Sequence, residues 1–188
     1  FYALLMSVPL GRGISVSANI LVLIYLGMEF LSITSYVLAG FIRDDKLSSE
    51  SAIKYFLYGA VASGVMLYGL SLLYGATGSV YLTDIAAAFK NTKNLTATLG
   101  LPAAILVITG FGFKASLAPF HQWAPDTYDG APTPVTAFLS TASKATGFAL
   151  LMRVLLVALP AAQAQWTPIL AGISMATMTL GNLAALRQ

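Results

Sequence analysis

The chain has 188 residues, 57% hydrophobic and 9% charged, with a formal net charge of +3. A typical soluble domain carries about 25% charged residues, and one of this size needs far more polar surface to cover its core. The excess apolar surface must face lipid, so the chain reads as a polytopic membrane protein. With no cysteine, disulfides, iron–sulfur clusters and thiolate metal sites are excluded. A single histidine, His121, is too few for a histidine-based metal centre, and the scattered charge offers no basic run for nucleic acid.

A membrane helix needs about 20 mostly apolar residues. Residues 1–16 make at most a short span, weakened by Pro9, Gly11, Arg12 and Gly13. Residues 17–42 make a full one, with Glu29 as its only charge. Residues 43–50 read as a hydrophilic turn in which Ser48 or Ser49 caps the next helix. Residues 55–74 form an uncharged span, and 75–100 a longer polar loop containing Gly75, Gly78, Asp84, Lys90, Lys93 and Gly100. A third span starts at Leu101 and is interrupted by Lys114 and then Pro119. Residues 129–134 are turn formers that make a tight link. Residues 135–159 carry Lys144 and Arg153 in a fourth span, and 167–186 form an uncharged fifth. The expected fold class is all-α, a transmembrane helix bundle of about five or six spans with one discontinuous helix. Basic residues near the span ends set a weak orientation. Arg43, Lys46, Lys54 and Arg187 fall on one side, Arg12, Lys90 and Lys93 on the other, which favours a cytoplasmic 43–54 loop. The chain opens at Phe1 and stops just after an apolar run, so it reads as part of a longer protein.

The segment around Lys114 is where chemistry is expected. Pro119 and Pro125 each remove a backbone donor and disturb a helix one turn upstream. An ordinary helix ending at Pro119 and followed by a surface loop is one reading. The other is a helix broken at membrane depth, favoured because the 28 residues of 101–128 overrun the roughly 20 needed to span. Such a break is tolerated only where protein or a wet cavity satisfies the freed backbone groups. Discontinuous helices are also where transporters build ion sites. Asp126 and Asp129 would cap or pin the turn through backbone N–H groups.

Glu29, Lys114 and Lys144 lie near the middle of three different spans. Each intramembrane charge costs about 2.5–3.5 kcal/mol on the insertion scale, so three of them imply partners and water inside a bundle. Burial disfavours a charged lysine and a nearby carboxylate favours it. A carboxylate that approaches or retreats therefore loads or unloads a lysine's proton, a workable pump element. The rival reading is a static Glu29–Lys114 ion pair that only fixes packing. It leaves Lys144 with no acid, and Ser140, Thr141 and Ser143 as the groups to solvate its ammonium. His121 is either a satisfied structural residue or a relay and support for the helix break. Arg153, near a span end, would snorkel to the interface without a functional role.

Residues 113–140, followed by Lys144, resemble the antiporter-like membrane subunits of NADH–quinone oxidoreductase, respiratory complex I. The runs 25–32, 51–57 and 73–78 carry the same resemblance, so it covers essentially the whole chain. Phe120-His121-Gln122-Trp123 together with a lysine at 144 resembles the subunit N, or subunit 2, branch. The sibling subunits and the multisubunit sodium/proton antiporters share the core around Trp123–Asp126 and Pro132–Val135 but usually place histidine where Lys144 stands. The resemblance implies that Glu29 and Lys114 form a Glu–Lys pair and that Lys144 is a central relay lysine, on a mid-membrane polar axis. It also implies that a further relay lysine lies beyond Gln188. Residues 1–188 would then be the first inverted repeat and the start of the second, a part that does not pump alone. The implied function is proton translocation coupled to quinone reduction in other subunits, with a cation/proton antiporter subunit as the alternative. The family implies no cofactor in this subunit, because NADH, FMN, iron–sulfur clusters and quinone are bound elsewhere. The implied partners are other complex I membrane subunits, the lipid bilayer and protons, in an energy-transducing membrane, the bacterial plasma membrane first. The plastoquinone-linked photosynthetic complex shares these motifs.

Overall fold

Apolar runs become helices along the chain. The computed structural model describes residues 1–186, with only the backbone at Lys93, so Arg187 of the orientation argument lies outside the described residues. Helix α1 is Tyr2–Ser17, α2 is Leu21–Ala39, α3 is Lys46–Thr77 and α4 is Leu82–Asn91. Then α5 is Thr96–Ala115, α6 is Trp123–Gly130, α7 is Thr133–Ala158 and α8 is Pro160–Ala185. Among the described residues, α2, α3, α5, α7 and α8 are long and apolar enough to cross a membrane. The fold is therefore an all-α polytopic bundle. Helix α1, with 16 residues and Pro9 inside it, is shorter than the roughly 20 a span requires.

Three connections differ from the sequence reading. The cap of α3 is Asp45, whose Oδ1 accepts from the Leu47 amide at 3.1 Å. A carboxylate at this position meets both a free N–H and the positive end of the helix dipole, so the helix starts before the serines. Ser48 is instead buried and donates to the Ala39 carbonyl at 2.9 Å, satisfying an acceptor at the end of α2. The stretch read as a polar loop, 75–100, is largely helical. After α3 ends at Gly78 (φ 69°), α4 buries Leu82, Ile85 and Phe89 and exposes Asp84 and Lys90. The i, i+3, i+7 spacing of those three residues makes one apolar face. Helix α5 then begins at Thr96, earlier than Leu101. Arg153, finally, does not reach for the interface. Its Nε donates to the Ala18 carbonyl at 2.9 Å and its Nη2 to the Ser17 carbonyl at 3.3 Å and to Asn19. A cation at the C-terminal end of α1 meets free carbonyls and the negative end of the dipole.

Helices α2, α3, α5 and α7 share two apolar clusters. One holds Ile24, Met66, Phe111 and Leu151, and the other Leu31, Tyr55, Phe113, Trp123 and Leu139. Helix α8 lies at the margin. Only Ala162 and Trp166 are buried on it among the described residues, Ile169, Leu170 and Ile173 touch the core, and Met175, Met178, Leu180 and Leu183 are exposed.

Candidate functional site

Tyr25, Glu29, Ser32 and Tyr36 are spaced four, three and four residues apart, which lines them up on one face of α2. Glu29 is half-buried, and its Oε1 accepts from the Ser63 hydroxyl of α3. Ser63 Oγ also lies 3.2 Å from the Tyr25 hydroxyl. One turn further along α2, Ser32 Oγ accepts from Lys114 Nζ at 3.1 Å. The second acceptor for Lys114 is the Tyr55 hydroxyl of α3, also at 3.1 Å. Lys114 is fully buried, with 0% exposure. Among the described residues the salt bridges belong to Lys54, and Glu29 and Lys114 form none between them. Hydroxyl dipoles, not a contacting carboxylate, hold the buried amine, so two of its three donor positions are met by neutral groups.

The helix carrying Lys114 stops immediately after it. Ser116 takes a left-handed conformation (φ 56°, ψ 42°), and the Leu117 amide bonds back to the Gly112 carbonyl at 2.8 Å. This six-to-one closure ends α5 three residues before Pro119, so the proline follows the break and does not cause it. Pro125 falls in the first turn of α6, where an amide would be unpaired in any case. The interruption is lined by protein. Trp123 Nε1 donates to the Phe113 carbonyl at 3.0 Å, and the Ala118 amide donates to Thr177 Oγ1 of α8 at 2.9 Å. Asp126 does not pin this turn through backbone amides. Its carboxylate pairs with Lys54 at 2.6 Å, and Lys54 also contacts Glu50 at 2.7 Å, which ties α6 to α3.

Beside the break lies a cleft of about 860 Å³, lined among others by Ser116, His121, Asp129, Lys144 and Thr177. Lys144 is half-buried, with Nζ 5.3 Å from the centroid of the Tyr128 ring, a cation–π arrangement. His121 Nδ1, Ser116 Oγ, Tyr128 OH and Ser143 Oγ are buried atoms without a hydrogen-bond partner. Buried polar atoms ordinarily find protein or water partners, and Ser116, His121 and Tyr128 line the cleft, whereas Ser143 does not. Ser140 and Thr141 are exposed and donate to the Ala137 carbonyl of their own helix at 3.1 and 2.7 Å. Ser143 is the buried member of that hydroxyl group. At Gly147 the backbones of α7 and α5 touch, since a Cβ there would stand 2.9 Å from the Ala115 nitrogen and 3.1 Å from the Lys114 carbonyl carbon. Lys144 is therefore one helical turn from the point where α7 contacts the Lys114 peptide.

The sequence reading placed Glu29, Lys114 and Lys144 correctly in spans but missed Ser32, Tyr55 and Ser63. For Ser32 the signal was available, because position i+3 from Glu29 faces the same neighbours.

A bundle of spans with an interrupted helix, an acid and two lysines within it defines an integral membrane protein of the antiporter-like kind. The sequence pattern of the family described as "NADH:quinone oxidoreductase/Mrp antiporter, TM" matches residues 18–188, and the chain belongs to that family. It is 46% identical over 187 residues to NADH-quinone oxidoreductase subunit N of Trichlorobacter lovleyi, and 47% over 189 residues to subunit N of Heliobacterium modesticaldum. Both alignments cover 100% of this chain but only 38% and 39% of those relatives. Among solved structures, a chain of respiratory complex I from Thermus thermophilus with bound aureothin superposes with a TM-score of 0.83 at 40% identity. That match covers 100% of this chain and 39% of the other.

Proposed function

We propose that this chain is part of a proton-translocating membrane-arm subunit of an NADH–quinone oxidoreductase, in which Glu29, Lys114 and Lys144 carry protons through the membrane interior. The observation that carries this reading is Lys114: a fully buried amine at the end of an interrupted helix, held by two hydroxyls, one of them on Ser32, a turn along α2 from the intramembrane carboxylate Glu29. Such an amine is costly to keep, and a static packing role gives no reason to keep it. The oxidoreductase names of relatives at 46–47% identity support the redox-driven reading over a cation/proton antiporter.

In this reading the whole subunit is a non-redox component of the enzyme. NADH, FMN, iron–sulfur clusters and quinone are bound by its neighbours, and the other membrane-arm subunits are its partners in a bacterial plasma membrane. The present chain supplies the first inverted repeat and the start of the second. A proton reaching the Glu29 side passes by Ser32 to Lys114, then toward Lys144 and the cleft. His121, half-buried at the cleft wall, is a further group able to exchange protons there.

The test uses the full-length protein in its assembled complex. Lys114→Met is expected to lower NADH-driven proton uptake by membrane vesicles and quinone reductase activity together, by ~10²-fold or more, the range of a positioned proton-transfer group. Wild-type uptake in a normally assembled variant would overturn the reading.

A further inference from the structure

Lys114 is sealed from solvent, so a proton can leave it only through the groups it touches. Of its two hydroxyl partners, Ser32 lies on the Glu29 side. Tyr55 leads the other way. Its hydroxyl, fully buried, lies near two further hydroxyls, Ser35 of α2 and Ser143 of α7, and the Ser143 oxygen is itself buried and makes no hydrogen bond. Ser143 directly precedes Lys144 in the chain and closes a wide, i to i+5 helical turn over Leu139–Ser143. Wide turns of this kind often accompany functional positions.

The Tyr55 ring is held on several sides. It stacks on Trp123 at a centroid distance of 4.3 Å, lies 5.9 Å from Phe113, and meets the edge of Tyr36 at 4.6 Å. A ring so packed fixes its oxygen while leaving the O–H free to rotate. These rings explain why the hydroxyl faces both neighbours without swinging between them. The same rings belong to the break itself, since Trp123 opens α6 and Phe113 precedes Lys114.

Resting on the proposed proton-transfer role of Lys114 and Lys144, we propose that the Tyr55 hydroxyl is the bridge between them, passing protons from Lys114 through Ser143 toward Lys144. In the step, Lys114 Nζ gives a proton to the Tyr55 oxygen as the Tyr55 O–H proton moves to Ser143 Oγ. The Ser143 proton then moves to the Lys144 amine, directly or through water of the cleft. One proton leaves Lys114 and one arrives at Lys144. Tyr55 and Ser143 stay neutral before and after, and rotation of their O–H bonds resets the chain. No oxidant or reductant takes part.

Tyr55→Phe removes the oxygen and keeps the stacked ring. In the full-length protein within its complex, NADH-driven proton uptake is expected to fall about tenfold. That is less than the ~10²–10⁴-fold of a positioned proton-transfer group, because a water can replace a hydroxyl in the chain. The solvent deuterium isotope effect on uptake is expected to rise, since the substitute path makes proton transfer slower relative to other steps. A loss of rate with an unchanged isotope effect overturns the bridge and leaves Tyr55 a packing residue. Lys114→Met, measured alongside, separates the two readings. If it stops uptake while Tyr55→Phe pumps like wild type, the bridge is wrong and the lysine relay stands. If Lys114→Met pumps normally, both are wrong. Should Tyr55→Phe fail to assemble, Ser143→Ala decides. Its oxygen has no hydrogen bond to lose, so assembly is expected to be normal. A several-fold loss of uptake then supports the bridge, and unchanged uptake overturns it.

Discussion

Lys114 and Lys144 are the same residue type, on helices that touch at Gly147, yet their surroundings differ. Lys114 is closed in, with its amine shared between the hydroxyls of Ser32 and Tyr55. Lys144 is half-exposed, resting over the Tyr128 ring at the edge of an open cleft. The two placements solve the desolvation problem in different ways. Fixed dipoles stabilise the first charge in a closed space, where only neighbouring side chains can alter its state. An aromatic face and an open cleft surround the second. A lysine in a span is thus no single kind of site, and the proposed route between these two would run from a closed environment to an open one.

Substitution by arginine gives the largest contrast. Guanidinium keeps the charge but is larger and holds its proton at all accessible pH values. At position 114 there is no room for it. Overpacking a closed site typically costs about 1–3 kcal/mol, so Lys114→Arg is expected to reduce the amount of assembled complex as well as proton uptake. At position 144 the cleft has room and the Tyr128 ring accepts a guanidinium as readily. Lys144→Arg is expected to assemble at the wild-type level and to lose uptake alone. Native gel electrophoresis of solubilised membranes, run beside the uptake assay, checks both. Equal assembly of the two variants would remove the distinction between closed and open sites.

A smaller effect should follow at Glu29. Its carboxylate accepts from Ser63 and stands one turn from Ser32 without touching Lys114, so its influence on the amine is through charge. Glu29→Gln keeps an acceptor for Ser63 and removes that charge, and is expected to lower proton uptake several-fold. Glu29→Asp keeps the charge and is expected to cost less. Equal losses in the uptake assay would point to packing instead of electrostatic coupling.

The smallest effect is expected at Ser140. It is exposed and bonded within its own helix, so Ser140→Ala should leave assembly and uptake within the scatter of wild-type vesicles. A clear loss of uptake would restore Ser140 to the set of groups around Lys144 and redraw the open side of the comparison.

The features legible in the sequence were those with a high energetic cost. A membrane span must be about 20 apolar residues long, so the spans stand out from hydropathy alone. A charge inside such a run is equally visible, which is why Glu29, Lys114 and Lys144 could be singled out without coordinates. Hydroxyl residues give no comparable signal. A serine or threonine in a helix satisfies itself on a carbonyl three or four residues back, as Thr34 does on Phe30 at 2.8 Å and Thr146 on Ala142 at 2.8 Å. Such residues occur throughout the spans at little cost, so Ser32, Ser63 and Ser143 looked like many others. Tyr55 looked like the first residue of an uncharged span.

The sequence by itself determined that the chain is a helical membrane bundle and that three charges lie inside, and it favoured an interruption near Lys114 without fixing where or why the helix stops. Tertiary structure decided the rest. The stop at Ser116 depends on a left-handed residue whose amide and successor bond back into α5, and a serine does not announce that conformation as a proline announces a kink. The amphipathic α4 is helical because the bundle offers its three apolar residues a surface to cover, while its polar neighbours disguise it in sequence. The company Lys114 keeps follows from which faces of α2 and α3 meet α5. A charge in a span announces its cost locally, but the groups that meet that cost come from other helices and become its neighbours only when the helices pack.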